Sequence, residues 1–136
     1  MLTQQTAQTT TQNELLKTWI PKRGEIYLAN LGDDGIGSEQ RGIRPVVIIS
    51  NNKGNMYSGI LQIAPITSKK KNNLPTHVTL NINDGLRMES IISVEQSKCI
   101  SKRRVMINGS IVKISQLSNR KMQEVDIAIQ IQFGLI

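Results

Sequence analysis

The residues best suited to chemistry lie in one long segment, Leu31-Gly32-Asp33-Asp34-Gly35-Ile36-Gly37-Ser38-Glu39-Gln40-Arg41-Gly42-Ile43, which runs into Arg44-Pro45-Val46-Val47-Ile48-Ile49. Thirteen residues with four glycines make a poor hairpin turn and a good binding loop. Ser38, Glu39 and Gln40 suit hydrogen bonding to base edges, and Arg41 and Arg44 suit charge-assisted contacts to phosphate. A second candidate is Ala64-Pro65-Ile66-Thr67-Ser68-Lys69-Lys70-Lys71, a strand ending in two hydroxyls and then three ammonium groups. It would set Thr67 beside a phosphate track carrying Lys69 and Lys70. A third cluster is Lys98, Lys102, Arg103 and Arg104. Each cluster alone reads as a solvated face; three in one small chain add up to a field that attracts a polyanion.

Other chemistries are poorly supplied. His77 is the only histidine, so one chain cannot hold a two-histidine acid and base pair, and His77 reads as a structural or interface residue. Cys99 stands alone, which excludes an intrachain disulfide and a cysteine-rich zinc site. Asp33 and Asp34 read as a solvated acidic pair. No metal or cofactor is expected. The balance of 17 Lys plus Arg against 10 Asp plus Glu gives a net charge of +7, which also calls for an anionic partner. With four aromatic residues, Trp19, Tyr27, Tyr57 and Phe133, base reading by serial stacking is disfavoured and reading by hydrogen bonds is favoured.

The elements that must position these groups can be drawn from patterning. The length of 136 residues allows one domain with one core. Short Val- and Ile-rich runs bounded by Gly, Pro, Asn and Asp predict strands at 24–30, 44–50, 60–67, 76–82, 90–95 and 109–114. The turns between them are expected at Asn51-Asn52-Lys53-Gly54-Asn55, Asn83-Asp84-Gly85 and Asn108-Gly109. Their spacing is too short for repeated helical crossovers, so the fold class is mainly β, a small curled antiparallel sheet or barrel. Met122, Val125, Ala128, Ile129 and Phe133 recur at helical spacing and predict a closing helix over about 118–133, capped by Ser118 and stopped by Gly134. Ile127 and Ile131 add surplus apolar surface that hints at a subunit contact.

Residues 1–13 are mostly Thr and Gln and are expected to form a flexible tail, followed by a short helix over 14–20 that Asn13 would cap and Pro21 would stop. The division expected is thus 1–20 and 21–136. No apolar run has membrane-spanning length and residues 1–12 carry no charge, so a cytoplasmic protein is expected. Asn108-Gly109-Ser110 is read as a turn rather than a glycosylation site.

Several of these stretches together resemble the opening of the MazF/PemK (Kid) toxin family: Lys22-Arg23-Gly24-Glu25-Ile26-Tyr27-Leu28-Ala29 and Gly37-Ser38-Glu39-Gln40-Arg41-Gly42-Ile43-Arg44-Pro45-Val46-Val47-Ile48-Ile49-Ser50-Asn51. The likeness continues through Ala64-Pro65-Ile66-Thr67, Leu74-Pro75-Thr76-His77-Val78, Ser90-Ile91-Ile92-Ser93-Val94-Glu95-Gln96 and Phe133-Gly134-Leu135, covering about 22–136. The Gly-Ser-Glu-Gln-x-Gly-x-Arg-Pro block is the specific part. The resemblance implies a small SH3-like barrel with a C-terminal helix, acting as a homodimer. It further implies metal-independent, sequence-specific cleavage of single-stranded RNA, and neutralisation by an acidic antitoxin through which the complex could contact DNA.

By the same resemblance Arg44 and Thr67 form the catalytic pair, while Ser38, Glu39, Gln40 and Gln96 contact RNA. Arg41, Lys69, Lys70 and Lys98 extend the RNA-binding set as cations near them. The implied reaction is attack of a ribose 2′-OH on the adjacent phosphorus, giving a cyclic phosphate and a 5′-OH. Arg44 would stabilise the phosphorane, Thr67 would donate to a nonbridging oxygen or relay a proton, and Glu39 could take the 2′-OH proton or simply bind RNA. Two other readings stand beside this one. A toxin of the same fold could inhibit gyrase, or a noncatalytic barrel could bind RNA without cutting it.

Overall fold

The computed structural model describes residues 11–68 and 73–136. Within them residues 11–18 are helical (α1), followed by strands β1 (Glu25–Asn30) and β2 (Ile43–Ile48) and a short helix α2 (Asn52–Tyr57). Strands β3 (Ile60–Ser68), β4 (His77–Leu80), β5 (Ser90–Ser93) and β6 (Lys98–Ser101) come next. The small hairpin β7 (Met106–Ile107) and β8 (Ser110–Ile111) leads to β9 (Lys113–Gln116) and the helix α3 (Asn119–Gln132).

All strand pairs are antiparallel, and the main sheet runs β4-β5-β3-β2-β1-β9 with β6 also paired to β3. The long strand β3 makes the curl. Its first half pairs with β6, from Ile60 opposite Ser101 to Ile63 opposite Lys98. Its second half pairs with β5, from Ile66 opposite Ile92 to Ser68 opposite Ser90. Pro65, which lacks a backbone donor, falls where one partner ends and the other begins, a place a sheet tolerates it.

The continuous apolar run of β2 is explained by burial on both faces. Val47, with Ile26, Ala64, Ile66 and Ile92, enters a core closed by Leu117, Met122, Val125 and Ala128. Val46 and Ile48, with Tyr27, Leu61, Ile63 and Ile100, enter a second core on the other side, closed by Val105 and by Trp19. Successive side chains of a strand point to opposite faces, so a strand with a core on each side is apolar throughout rather than alternating.

The closing helix is found close to where its periodicity put it. Ser118 caps it by accepting a hydrogen bond from the Lys121 N–H at 3.1 Å. At the other end Leu135 N–H donates to Gln130 O and Gly134 N–H to Ile131 O, a Schellman stop for which Gly134 takes a φ of 70°. Phe133 departs from the expectation. It is the C-cap residue and is exposed, because the helix ends before that position turns back to the sheet.

Other expectations need correction. The segment 51–55 is no left-handed turn but the start of α2, because the Asn51 side chain caps it by accepting from Gly54 N–H at 2.7 Å. Asn13 lies inside α1 rather than capping it, so the N-terminal helix begins before the predicted 14. The strand expected at 109–114 is two, β8 and β9, and β6 was read only as a basic cluster. Of the expected flexible tail, residues 1–10 lie outside the described residues.

One buried ion pair fixes the start of the sheet. Glu25 is buried, accepts from Lys22 N–H at 2.6 Å and from the Tyr27 hydroxyl at 3.0 Å, and pairs with Lys113 Nζ at 2.8 Å. Burial works to raise its carboxyl, but the hydrogen bonds from Lys113, Lys22 and Tyr27 outweigh it and hold Glu25 below the ordinary range. Tyr27 is pushed up to about 12 by burial, with the Glu25 charge beside it adding to the effect. A carboxyl depressed in the fold adds stability above its unfolded pKa, and that stability is lost as pH falls through the folded value. Thermal melts from pH 7 to 3 should therefore show a falling limb that Glu25→Gln flattens. At pH 7 the same substitution should cost about 1–3 kcal/mol by leaving buried donors poorly matched.

Candidate active site

The β2–β3 pairing sets Val46 opposite Pro65, Val47 opposite Ala64 and Ile48 opposite Ile63. Arg44 lies two residues before the first of these pairs on β2, and Thr67 two residues beyond it on β3, where β3 has turned to pair with β5. Both residues line one open cleft of about 840 Å³. Its lining is mixed: Leu28, Pro45, Ile66 and Leu86 are apolar and at most partly exposed, Ile43 and Met88 are apolar and exposed, and Arg87, Ser68 and Ser90 are polar. Among the described residues no carboxylate lines it.

Arg44 is held along one edge. Its Nε donates to Arg41 O at 2.9 Å, which leaves the two terminal nitrogens for a ligand. Among the described residues no carboxylate pairs with it. An oriented guanidinium without a carboxylate partner, in a cleft that also holds a hydroxyl, is suited to an oxyanion, phosphate above all. Arg87 supplies a second cation to the cleft. No sequence motif marks it, since it lies between the expected turn Asn83-Asp84-Gly85 and the strand predicted at 90–95. Met88 is held against Ser68 and Ser90 through Ser68 Oγ to Met88 Sδ at 3.7 Å and Ser90 Oγ to Met88 O at 3.0 Å.

The β1–β2 loop is shaped by its neck. Leu31 N–H donates to Gly42 O at 2.9 Å and Gly42 N–H to Gly32 O at 2.7 Å, with φ of 85° at Gly32 and 80° at Gly42. Residues with a Cβ rarely adopt that conformation, so the two glycines allow the loop to close on itself. Arg104 braces the neck by donating to Asn30 O at 3.1 Å. Arg41 donates to Gly35 O at 2.9 Å, so this arginine holds the loop's own backbone rather than standing free.

Gln96 does the same from outside. Its Nε2 donates to Ser38 O at 2.9 Å and its Oε1 accepts from Gln40 N–H at 3.3 Å. Both ends of the amide thus clamp the loop. Next to it, Glu95 accepts from Thr76 Oγ1 at 2.9 Å and meets His77 Nε2 at 2.8 Å. His77 Nδ1 accepts from Leu74 N–H at 3.1 Å, which assigns the other proton to Nε2. Nε2 of His77 thus ties β4 to the 3₁₀ turn Val94–Gln96 while Nδ1 holds the turn before β4, a structural role for the ring.

Of the residues singled out in the sequence, Arg44 and Thr67 come together in the cleft. Ser38, Glu39, Gln40 and Arg41 lie on the neighbouring loop, with Gln96 clamping it, and none lines the cleft itself. Lys98 begins β6, also outside it. Lys69, Lys70 and Lys71 lie outside the described residues. The Lys98–Arg104 cluster is not gathered round the cleft as expected, because Lys102 and Arg103 follow β6 to the opposite end of β3. Among the described residues no three His, Cys, Asp or Glu side chains gather as metal ligands.

The curled antiparallel sheet closed by a C-terminal helix is the architecture of known endoribonuclease toxins. An endoribonuclease solved in complex with its cognate antitoxin from mycobacterial species superposes with a TM-score of 0.69 at 21% identity, covering 85% of this chain and 97% of that one. MazF from Deinococcus radiodurans superposes with a TM-score of 0.68 at 22% identity, covering 85% and 98%. These establish the fold class. In sequence, the chain is 43% identical over 116 residues to endoribonuclease MazF of Staphylococcus saprophyticus, 84% of this chain and 92% of that protein. Residues 22–133 match the PemK-like, MazF-like toxins of type II toxin–antitoxin systems, and the chain belongs to that family.

The clamp is open to test. Gln96→Ala should speed amide exchange in residues 33–42 while leaving β2 and β3 protected. Unchanged exchange there would mean that the neck alone holds the loop.

Proposed function

We propose that the cleft of Arg44 and Thr67 cleaves single-stranded RNA at short recurring sequences without a metal, and that the protein acts in the cytoplasm as the toxin of a toxin–antitoxin pair. The observation that carries this reading is the single cleft lined by both Thr67 and Arg44, a guanidinium oriented through its Nε and without a carboxylate partner among the described residues. The relative from Staphylococcus saprophyticus supports the activity and the mycobacterial complex supports the antitoxin partner.

In the reaction a 2′-OH oxygen forms a bond to the adjacent phosphorus and the bond from phosphorus to the 5′ oxygen breaks. The 2′ proton is lost, the 5′ oxygen gains one, and the products are a 2′,3′-cyclic phosphate and a 5′-OH. The pentacovalent intermediate is more negative than the diester. The terminal nitrogens of Arg44 stabilise its nonbridging oxygens, and Thr67 donates a further hydrogen bond. Arginine remains protonated at neutral pH, so Arg44 acts as a charge clamp and not as a base. Arg87 adds a second positive charge to the same cleft. Ser38, Glu39 and Gln40, presented on the clamped loop, read the bases.

The chain works as a homodimer with an acidic antitoxin as inhibitor. The support for the dimer is exposed apolar surface at the end of the closing helix, where Ile127, Phe133, Leu135 and Ile136 are all more than half exposed. The net charge of +7 suits both RNA and an acidic inhibitor. Among the described residues no helix is long and apolar enough to cross a membrane.

Digestion of a long mixed-sequence RNA in excess chelator should release fragments with 5′-OH ends at a recurring short sequence. Activity that vanished in chelator and returned with magnesium would overturn the mechanism. Arg44→Ala should lower the cleavage rate by about 10²–10³-fold with an unchanged melting temperature, the scale of losing one oxyanion donor. Thr67→Val should also slow cleavage, and Thr67→Ser should retain most of it; equal rates for all three substitutions and the parent would remove the pair from the mechanism.

A further inference from the structure

A second groove, of about 540 Å³, lies at the far end of the molecule. Strand β3 joins the two sites: Thr67 and Ser68 at its C-terminal end line the catalytic cleft, and Gly59, just before its N-terminal end, lines this groove. The nine residues of β3 separate them by roughly 25–30 Å along the strand. Strand β6 runs back beside β3 from Lys98, next to the Gln96 clamp, to Ser101, where the groove begins.

One wall of the groove is Asn13, Leu16 and Lys17 of α1, which precedes the family match at residues 22–133. The other walls are Tyr57 and Ser58 after α2 and Lys102 and Arg103 after β6. The helix is held in place because Trp19 packs on the second core, edge-on to Tyr27 at 5.0 Å between ring centroids. Among the described residues, three cations therefore line the groove and no carboxylate does. None of the three has an ion-pair partner among the described residues. Partial burial holds Lys102 below the ordinary lysine range, a cost that an incoming anion would relieve. Tyr57 stands 78% exposed at the rim, an aromatic face with nothing packed on it.

We infer that this groove binds single-stranded RNA outside the cleaved sequence, with Lys17, Lys102 and Arg103 on its phosphates and Tyr57 stacked on a base. Cations without carboxylates, together with one free aromatic ring, are the recognition chemistry of a single strand. The groove holds the flank of a long substrate while the cleft acts on its target, so long RNAs gain affinity that short ones do not. The inference rests on the ribonuclease reading for its purpose, but its binding test does not.

The test uses the full chain carrying Arg44→Ala, to keep RNA intact, with and without Lys17→Gln, Lys102→Gln and Arg103→Gln together. Binding of oligouridylates of 6 and 24 nucleotides is measured by fluorescence anisotropy between 50 and 200 mM salt. The triple substitution should weaken 24-mer binding about tenfold at 100 mM salt and make the log–log salt slope shallower by about 2, at about 0.7 per phosphate contact. Binding of the 6-mer should change less than twofold. Tyr57→Leu should weaken the 24-mer with the slope unchanged, which separates stacking from charge. Equal effects on both lengths, or none, overturn the inference. Unchanged RNA binding with lost binding of a polyglutamate peptide would overturn it in favour of a protein site. If the parent chain releases no 5′-OH fragments while the 24-mer result holds, the groove stands and the ribonuclease reading falls.

Discussion

Val46, Val47 and Ile48 meet Pro65, Ala64 and Ile63 across the sheet, and alternate members of each set enter separate cores. A slip of one residue would send every side chain of β2 to the wrong core, so the register is fixed by burial on both faces at once. Arg44 lies two residues before Val46 and Thr67 two residues after Pro65. The same packing sets the strand ends that carry both into one cleft. The residues proposed to react thus need no dedicated contact to find each other.

A double-sided sheet must be covered twice, and the two covers serve different ends. On one face α3 lays Met122, Val125 and Ala128 on the core, tied to the start of the sheet by Arg23 and Asp126 at 2.6 Å. On the other, β6, Val105 and Trp19 complete the second core. That second cover carries Lys102 and Arg103 away from the cleft and docks α1 beside them, which creates the distal basic groove. The polar groups near the cleft are likewise mostly engaged in building it. Arg41, Arg104 and Gln96 hold the loop, and His77 with Glu95 and Thr76 holds the turn that carries Gln96. Arg44, anchored at Nε, lines the cleft together with Arg87.

Much was legible before any coordinates. The Gly-rich loop entering Arg44-Pro45 and the hydroxyl end of Ala64-Pro65-Ile66-Thr67 marked the cleft, because charge, glycine freedom and strand composition are local properties. The closing helix was legible for the same reason: its stripe, its Ser118 cap and its Gly134 stop all lie within one short window. Helix α2 was missed because a single side-chain cap from Asn51 turned an apparent loop into a helix. Strand β6 is hidden in the sequence because Lys98, Cys99 and Ser101 surround its one core residue, Ile100.

The sequence by itself determined the fold class, the charge that calls for a polyanion and the two segments that carry Arg44 and Thr67. Only the tertiary structure decided that Arg87 joins that cleft, that Gln96 grips the loop backbone, and that the third basic cluster serves a different groove. Residue types and local spacing are written in the chain, whereas which segments meet depends on long-range strand pairing. That pairing is chosen by burial of both faces of one sheet, a property of the whole chain rather than of any window in it.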